Sequence, residues 1–317
     1  MGRDFHQIIW DDQLQADWEQ LLRLALREDL GDDGDWTSRA LIPEDAIGRA
    51  EMVAREPGII AGLPGVKRTL QAVDPQLRWL PEAEDGRTVA KGDRLGLIQG
   101  PVRGILMAER IVLNLLGRLS GIATLTYRYV AAVAGAKAGI YDTRKTTPGW
   151  RRLEKYAVRC GGGRNHRTGL SEAVLIKDNH LAWGDRSGAG GAAGYSPAEA
   201  VAKARQFTAD HLPQPARSSM IVEVEVDTLE QLAEVLPAGP DIVLLDNITP
   251  PQLREAVAQR DALAPSVELE ASGGVDLETV GAIAASGVDR ISVGALTHSA
   301  ACLDIGLDWI SEGTAKK

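Results

Sequence analysis

Cysteine is scarce in this 317-residue chain: Cys160 and Cys302 are the only two, and they form no CxxC pair. Neither a disulfide framework nor a cysteine-built zinc cluster is expected, and a reducing cytoplasm suits the chain best. The five histidines are scattered without metal-ligand spacing. Aromatic residues make up 4% of the chain against 34 glycines, a balance that favours a loop-rich α/β protein over a β-sandwich. No apolar run is long enough to span a membrane, and the opening MGRDFHQIIWDDQL has acids where a signal peptide needs an apolar core. Gly2 is followed by His6 where a myristoylation signal requires Ser or Thr. The expectation is a soluble, cytoplasmic protein that binds no membrane. Positive charge is lacking too: the formal net charge is −9 and the pI ≈ 5.2, whereas duplex nucleic-acid binding needs an extended basic surface.

Against that background one stretch stands out. Residues 142–180, DTRKTTPGWRRLEKYAVRCGGGRNHRTGLSEAVLIKDNH, hold nine Lys/Arg against four acids, so the rest of the chain carries a net charge of about −14. A basic island in an acidic protein points to a small polyanion rather than to a nucleic-acid track. The length fits two domains, or one barrel with an added module.

Leu14, Trp18, Leu21, Leu22 and Ala25 recur at helical spacing, and Gly31 stops the run. The acidic, Gly-containing EDLGDDGDWTS at 28–38 reads as a solvated loop. From 48 to 100, short apolar pieces such as AEMVARE, GIIAG and TVAKGDRLGLIQG predict antiparallel strands, making the first hundred or so residues an α+β module. Ile105, Ala108, Val112, Leu115, Leu116 and Leu119 then mark a helix with one buried face and with Glu109, Arg110, Asn114 and Arg118 off that stripe. Ser120-Gly121 is expected to end it, with a second helix running to about Ala134.

After Ala138, six strand-like runs alternate with helical segments: 139–141, 173–176, 220–226, 241–246, 267–271 and 290–294. Ser196-Pro197-Ala198-Glu199 is a capping box, Thr147-Pro148 and Thr249-Pro250 repeat the cap-plus-Pro signal, and Asp276 or its neighbour caps the helix that ends at Gly287. Alternating β and α predicts a parallel sheet, either a barrel or a doubly wound sheet. In both, polar residues at strand C-terminal ends face the ligand. That rule selects Asp142, Thr143, Arg144, Lys177, Glu223 or Glu225, Asp246, Ser272-Gly273-Gly274 and Gly294. The Gly-rich segment 184–195 reads as a flexible loop.

EASGGVD and SVGAL each join a strand to a helix, and glycines there let main-chain N–H groups approach a phosphate. Glu225 and Asp246 suit Mg²⁺ and sugar hydroxyls, but equally a general acid/base pair or salt-bridge partners of the basic island. Arg151, Arg152, Lys155 and Arg159 read as a solvated helix face. Arg144-Lys145, His166-Arg167 and Lys177, on turns or at strand ends, instead form a candidate site for a ligand with several negative charges. GGGRNH follows no strand and is no dinucleotide fingerprint.

Taken together, DTRKTTPGWRRLEKYAV, CGGGRNHRTGLSEAVLIKDNH, VEVEV, IVLLDN, LEASGGV and ISVGALTHSA, with EDLG-x-x-GDWTS, PGIIAG and ERIVLNLLGRLSGIAT before them, resemble the quinolinate phosphoribosyltransferase family, the carboxylating nicotinate-nucleotide pyrophosphorylases. The resemblance covers nearly the whole chain; the Gly-rich loop at 184–195 is its one visible departure. It implies an α/β fold: an N-terminal α/β sandwich domain (1–121, with 299–317 returning to it) plus an incomplete, seven-stranded TIM-like α/β barrel (122–298). It further implies a homodimer, or a larger assembly of dimers, with Arg110 reaching the neighbouring active site.

By motif, Arg110, Thr143, Arg144, Lys145, His166, Arg167 and Lys177 resemble the quinolinate site. Lys177, Glu225, Asp246, Ser272, Gly273, Gly274 and Gly294 resemble the phosphoribosyl pyrophosphate site, with Mg²⁺ held at Glu225 and Asp246 largely through substrate and water. Lys145, Glu225 and Asp246 are the catalytic candidates. The implied reaction converts quinolinate and phosphoribosyl pyrophosphate to nicotinate mononucleotide, pyrophosphate and CO₂ in de novo NAD biosynthesis. Rival readings are a paralogous transferase for another acceptor, a barrel isomerase or lyase for a phosphorylated metabolite, and a non-catalytic phosphometabolite-binding scaffold. Residues alone leave open whether His166 orients a carboxylate or moves a proton.

Overall fold

The computed structural model describes residues 4–184 and 194–310, so most of the Gly-rich segment read as a flexible loop lies outside the described residues. The chain divides into two discontinuous compact units. One comprises Ile8–Tyr127, Lys145–Gly163 and Ala295–Lys317, the other Met1–Gln7, Arg128–Arg144 and Arg164–Gly294.

The first unit is built on a four-stranded antiparallel sheet in the order Ile305–Trp309, Ile47–Ala54, Arg94–Pro101, Arg78–Pro81. Its core gathers Met52, Ile60, Val66, Leu70, Leu95, Ile98, Ile105 and Leu116. Helix Asp12–Leu30 is capped by Asp11, whose side chain accepts the Leu14 N–H at 2.8 Å, and buries Leu14, Trp18 and Leu22. The Trp18 ring lies so close to Gly65 that a Cβ there would sit 2.3 Å from it, and its indole N–H donates to Thr69 Oγ1 at 3.2 Å. Gly31, with φ 51°, ends the helix. The acidic stretch after it is only partly a loop. Asp35 accepts the Ser38 N–H at 3.1 Å and starts a short helix, Trp36–Leu41, because an N-cap carboxylate satisfies an otherwise orphaned donor.

The expected break at Ser120-Gly121 is absent: one helix runs from Val102 to Ala132. Both residues are there for close packing. The Ala61 N–H donates to the buried Ser120 hydroxyl at 3.1 Å, and a Cβ on Gly121 would lie 1.9 Å from the Ala301 carbonyl oxygen. A helical glycine that lets another segment approach looks, in sequence, like one that ends a helix.

Helix Arg151–Cys160 corrects two further expectations. It starts after Trp150 rather than at Thr147, since Gly149 (φ 81°) turns the chain and the Thr147 hydroxyl donates to buried Glu154 at 2.9 Å. Nor is its basic side simply solvated. Lys155 is fully buried, and Arg152 ion-pairs with Asp17 at 3.0 Å and Asp11 at 3.4 Å. Glu154 is held by Arg118 at 2.7 Å.

In the second unit the six strand-like runs form six parallel strands, ordered Gly139–Tyr141, Arg290–Ser292, Glu268–Ser272, Ile242–Asp246, Ile221–Val226, Ala173–Ile176. An isolated parallel bridge between Tyr141 and Arg164 adds a seventh segment beside the first strand. The array thus wraps round until its first and last strands in sequence are neighbours, and among the described residues no strand pairing joins the Arg164 segment to Ala173–Ile176. That is an incomplete seven-segment α/β barrel. The N-terminal residues bridge the gap: Gln7 exchanges hydrogen bonds with the Asn165 main chain at 3.1 and 2.9 Å, and the His6 N–H donates to Glu172 at 2.9 Å. Phe5 packs into the core beside Ala173, Ile221 and Ile242. The Ser196–Glu199 capping box forms, whereas Asp276 caps a turn at 276–279 and the helix itself is the short Val280–Ala284.

Candidate active site

Strand side chains alternate between faces, so Glu223 and Glu225 of Ile221–Val226 share one face at successive levels, as do Glu270 and Ser272 of Glu268–Ser272. Register aligns Ser272 with Asp246 at the C-terminal end of the sheet. At that end, carboxylate oxygens of Glu225, Asp227 and Asp246 lie within 4.8 Å of one another. Lys177, just past Ala173–Ile176, donates from Nζ to Glu225 Oε2 at 2.5 Å. Asp227 was missed in the sequence, although it continues the two-residue period of Glu223 and Glu225 by one step.

Asn247, next to Asp246, was also missed as a site residue. It takes φ 54°, the only non-glycine positive φ among the described residues, and its side-chain amide donates to Asp246 Oδ2 at 2.7 Å. A Cβ on Gly273 would lie 2.3 Å from Asn247 Oδ1, so the first Gly of the ASGG turn is required by this contact. Gly274 (φ 58°) faces open space. The helix after this turn begins only at Val280, and that after Gly294 spans just Ala295–His298. The glycines therefore offer main-chain N–H groups with little help from a helix dipole.

The cations are assembled by a buried acid. Asp142, fully buried, accepts from Asn165 Nδ2 at 2.7 Å and from the His166 N–H at 2.8 Å, drawing residues 142–144 and 165–167 together. Arg167 is 5% exposed; its Nη1 donates to the Ala173 carbonyl at 3.0 Å, while Nε is buried without a hydrogen-bond partner among the described residues. Burial and the neighbouring Arg144 push its guanidinium pKa down, against Glu223 and Glu172. A buried guanidinium with a donor to spare and a second cation beside it is an anion-binding arrangement. Half-buried Thr143 lies in the same segment as Arg144.

His166 turns inward. Its Nδ1 accepts the Arg167 N–H at 2.8 Å, and Nε2 lies 3.1 Å from Glu223 Oε2 and 3.6 Å from Glu270 Oε1. Thr143, Arg144, His166, Arg167, Lys177, Glu225, Asp246, Ser272, Gly273, Gly274 and Gly294 all lie in the second unit, where Lys177, Glu225, Asp246 and Ser272 meet at the strand ends and Arg144 neighbours Arg167. Arg110 and Lys145 belong to the first unit, where both are exposed; the Lys145 carbonyl accepts from Thr297 Oγ1 at 2.7 Å.

Fold and site define an α/β-barrel enzyme with a buried guanidinium beside a second cation and a carboxylate cluster at the C-terminal end of its strands. Comparison with known proteins makes the class specific. The N-terminal domain of quinolinate phosphoribosyl transferase matches residues 35–120, and its C-terminal domain matches residues 122–308. The chain is 47% identical to a nicotinate-nucleotide pyrophosphorylase [carboxylating] of Mycobacterium leprae over 90% of its length and 95% of the relative's. It is 42% identical to a probable one of Bacillus subtilis, covering 92% of each. The solved nicotinate-nucleotide pyrophosphorylase of Francisella tularensis superposes with a TM-score of 0.84 at 36% identity, covering 97% of this chain and 100% of that one. The chain belongs to the quinolinate phosphoribosyltransferase family.

Proposed function

We propose that the protein converts quinolinate and phosphoribosyl pyrophosphate to nicotinate mononucleotide, pyrophosphate and CO₂, the step that supplies the pyridine nucleotide in de novo NAD biosynthesis. The observation that carries this reading is the pairing, in one unit, of a buried Arg167 guanidinium beside Arg144, suited to a dicarboxylate, with a carboxylate cluster at the strand ends, suited to a metal-bound phosphosugar.

Arg144 and Arg167 receive the quinolinate carboxylates, with Thr143 and Lys177 at its edge; by motif, Lys145 and the neighbouring subunit's copy of Arg110 add cations. A shared Arg110 goes with a homodimer or an assembly of dimers, and the reading includes a cytoplasmic location. Among the described residues no helix is long and apolar enough to cross a membrane. Ser272, Gly273, Gly274 and Gly294 receive the 5′-phosphate through hydroxyl and main-chain N–H groups.

The ring nitrogen then attacks C1 of the ribose as the C1–O bond to pyrophosphate breaks. Glu225 and Asp246 stabilise the positive charge that develops on the sugar. In the second step the bond from C2 to its carboxylate breaks, the new pyridinium holds the electron pair, CO₂ leaves and C2 takes a proton. Quinolinate must be held in attacking geometry throughout, which is the main contribution of the cationic pocket.

The three carboxylates at Glu225, Asp227 and Asp246 suit a hard divalent cation, and Mg²⁺ fits this donor set with substrate oxygens and water completing it. When bound, Mg²⁺ supplies charge neutralisation of the departing pyrophosphate.

Incubation with quinolinate, phosphoribosyl pyrophosphate and Mg²⁺ tests the reading, following CO₂ and nicotinate mononucleotide together. Both products are expected in equal amounts, and none with nicotinate as acceptor. Neither product from folded protein that still binds the phosphosugar would transfer the site to another acceptor.

A further inference from the structure

One cluster near the pocket is left unused by this chemistry. Glu223 and Glu270 are both fully buried, on adjacent levels of the inward face, and meet His166, which is 5% exposed. Such a His-plus-two-carboxylate group has the composition of a metal site. The imidazole's other nitrogen argues against that use. Nδ1 accepts the Arg167 main-chain N–H at 2.8 Å, so it carries no proton, and the neutral ring must carry its proton on Nε2. An Nε2–H is a donor and not a ligand, and it faces the two carboxylates, Glu223 Oε1 at 3.4 Å and Oε2 at 3.1 Å, Glu270 Oε1 at 3.6 Å.

The ring is fixed on its other sides as well. Phe5 packs against it with centroids 4.3 Å apart, and Asp142 holds its main-chain N–H. Glu270 is itself held by the Ser292 hydroxyl. Among the described residues Glu270 Oε2 is buried without a hydrogen bond, and Glu223 Oε2 has His166 Nε2 at 3.1 Å as its polar neighbour, so the acids are arranged around the imidazole.

We propose that Glu223, backed by Glu270, is a positioning residue for the anion pocket: it holds the Nε2–H of His166, which turns Nδ1 onto the Arg167 main-chain N–H and so aims the Arg167 guanidinium at the quinolinate carboxylates. His166 then neither binds substrate through a ring nitrogen nor transfers a proton. Main-chain geometry passes from the acid to the arginine through the ring, beside the direct attraction of the Glu223 charge for the Arg167 guanidinium.

This inference rests on the quinolinate reading for its kinetic part alone, and two measurements separate the two. The first needs no substrate: ¹⁵N NMR of His-labelled protein near pH 7 is expected to show one buried imidazole as the neutral Nε2–H tautomer, assigned through its loss in His166→Gln. An Nδ1–H tautomer would overturn the proposal, as would one equivalent of divalent metal that resists chelator, because Nε2 would then be a ligand. The second is a kinetic split. Glu223→Leu is expected to raise the quinolinate KM by about 10-fold or more, with kcat and the phosphoribosyl pyrophosphate KM held within about threefold. Glu223→Gln, whose carbonyl still accepts the Nε2–H, is expected to recover most of that loss. Equal loss in both KM values and kcat, or no recovery by Gln, would reduce Glu223 to a general structural role.

Discussion

Asp142 accepts the His166 main-chain N–H at 2.8 Å, and that bond joins the end of the first barrel strand to the segment at the barrel's open side. The same carboxylate accepts from Asn165 Nδ2, so one buried acid sets where both Arg144 and Arg167 stand. Replacing it with Ala deprives two buried donors of this acceptor, at about 1–3 kcal/mol each. Asp142→Ala is therefore expected to lower unfolding stability in urea by about 3 kcal/mol, and Asp142→Asn by less. A loss under about 1 kcal/mol for Ala would mean that the acid does not organise the segment.

The carboxylate cluster should show itself in metal dependence. Glu225→Gln and Asp246→Asn are each expected to raise the Mg²⁺ concentration for half-maximal rate by about 10-fold or more. Quinolinate binding measured by calorimetry should stay close to wild type in both. An unchanged Mg²⁺ requirement in both variants would leave Glu225 as a partner of Lys177 and Asp246 as a partner of Asn247 only.

Asn247 holds a left-handed conformation at φ 54°, which Gly tolerates and a β-branched residue does not. Asn247→Val is expected to cost about 1–3 kcal/mol of stability, and Asn247→Gly to cost less. Both lose the amide that holds Asp246, so both should weaken phosphoribosyl pyrophosphate binding. Equal stability of the Val and Gly variants would remove the conformational argument.

Burial, and then Glu223 beside it, push the Glu270 carboxyl up from an ordinary 4.5 to about 7, against the pull of Ser292 and Arg290. The fold thus holds this proton at pH values where the unfolded chain has released it. Its contribution to stability falls as pH climbs from about 4.5 to about 7 and is level above that, by roughly 3 kcal/mol in all. Relative to Glu270→Gln, which cannot ionise, wild type is expected to lose stability between pH 5 and 7 in urea unfolding. A stability difference independent of pH would show that Glu270 is ionised throughout.

Much of this was legible before any coordinates. The six strand runs are read correctly because buried parallel strands are short apolar segments with polar residues at their C-terminal ends, and VEVEV, IVLLD and LEAS each have that form. Arg144 and Arg167 stand out in the sequence because they lie in a basic island of an otherwise acidic chain. The missed features are those in which one residue type serves two purposes. Gly121 allows close approach inside a helix, Asp35 caps a helix within an acidic loop, and Lys155 is buried on a helix whose other cations resemble a solvated face. His166 shows the limit most clearly. Its place in the motif was plain, but the partners of its two ring nitrogens come from Arg167, Glu223 and Glu270, and a pairing across 57 or 104 residues has no signature in the linear chain.

The central claim is that Arg167 receives a carboxylate. The most direct measurement is isothermal calorimetry of quinolinate against wild type and Arg167→Ala, with phosphoribosyl pyrophosphate titrated into each as a control. The expected result is loss of quinolinate affinity by about 100-fold or more, in line with removal of a buried charge-assisted pair, and phosphoribosyl pyrophosphate affinity within about threefold of wild type. Quinolinate binding that survives the substitution unchanged would contradict the account, and equal loss of both ligands would make Arg167 a support of the fold rather than of the pocket.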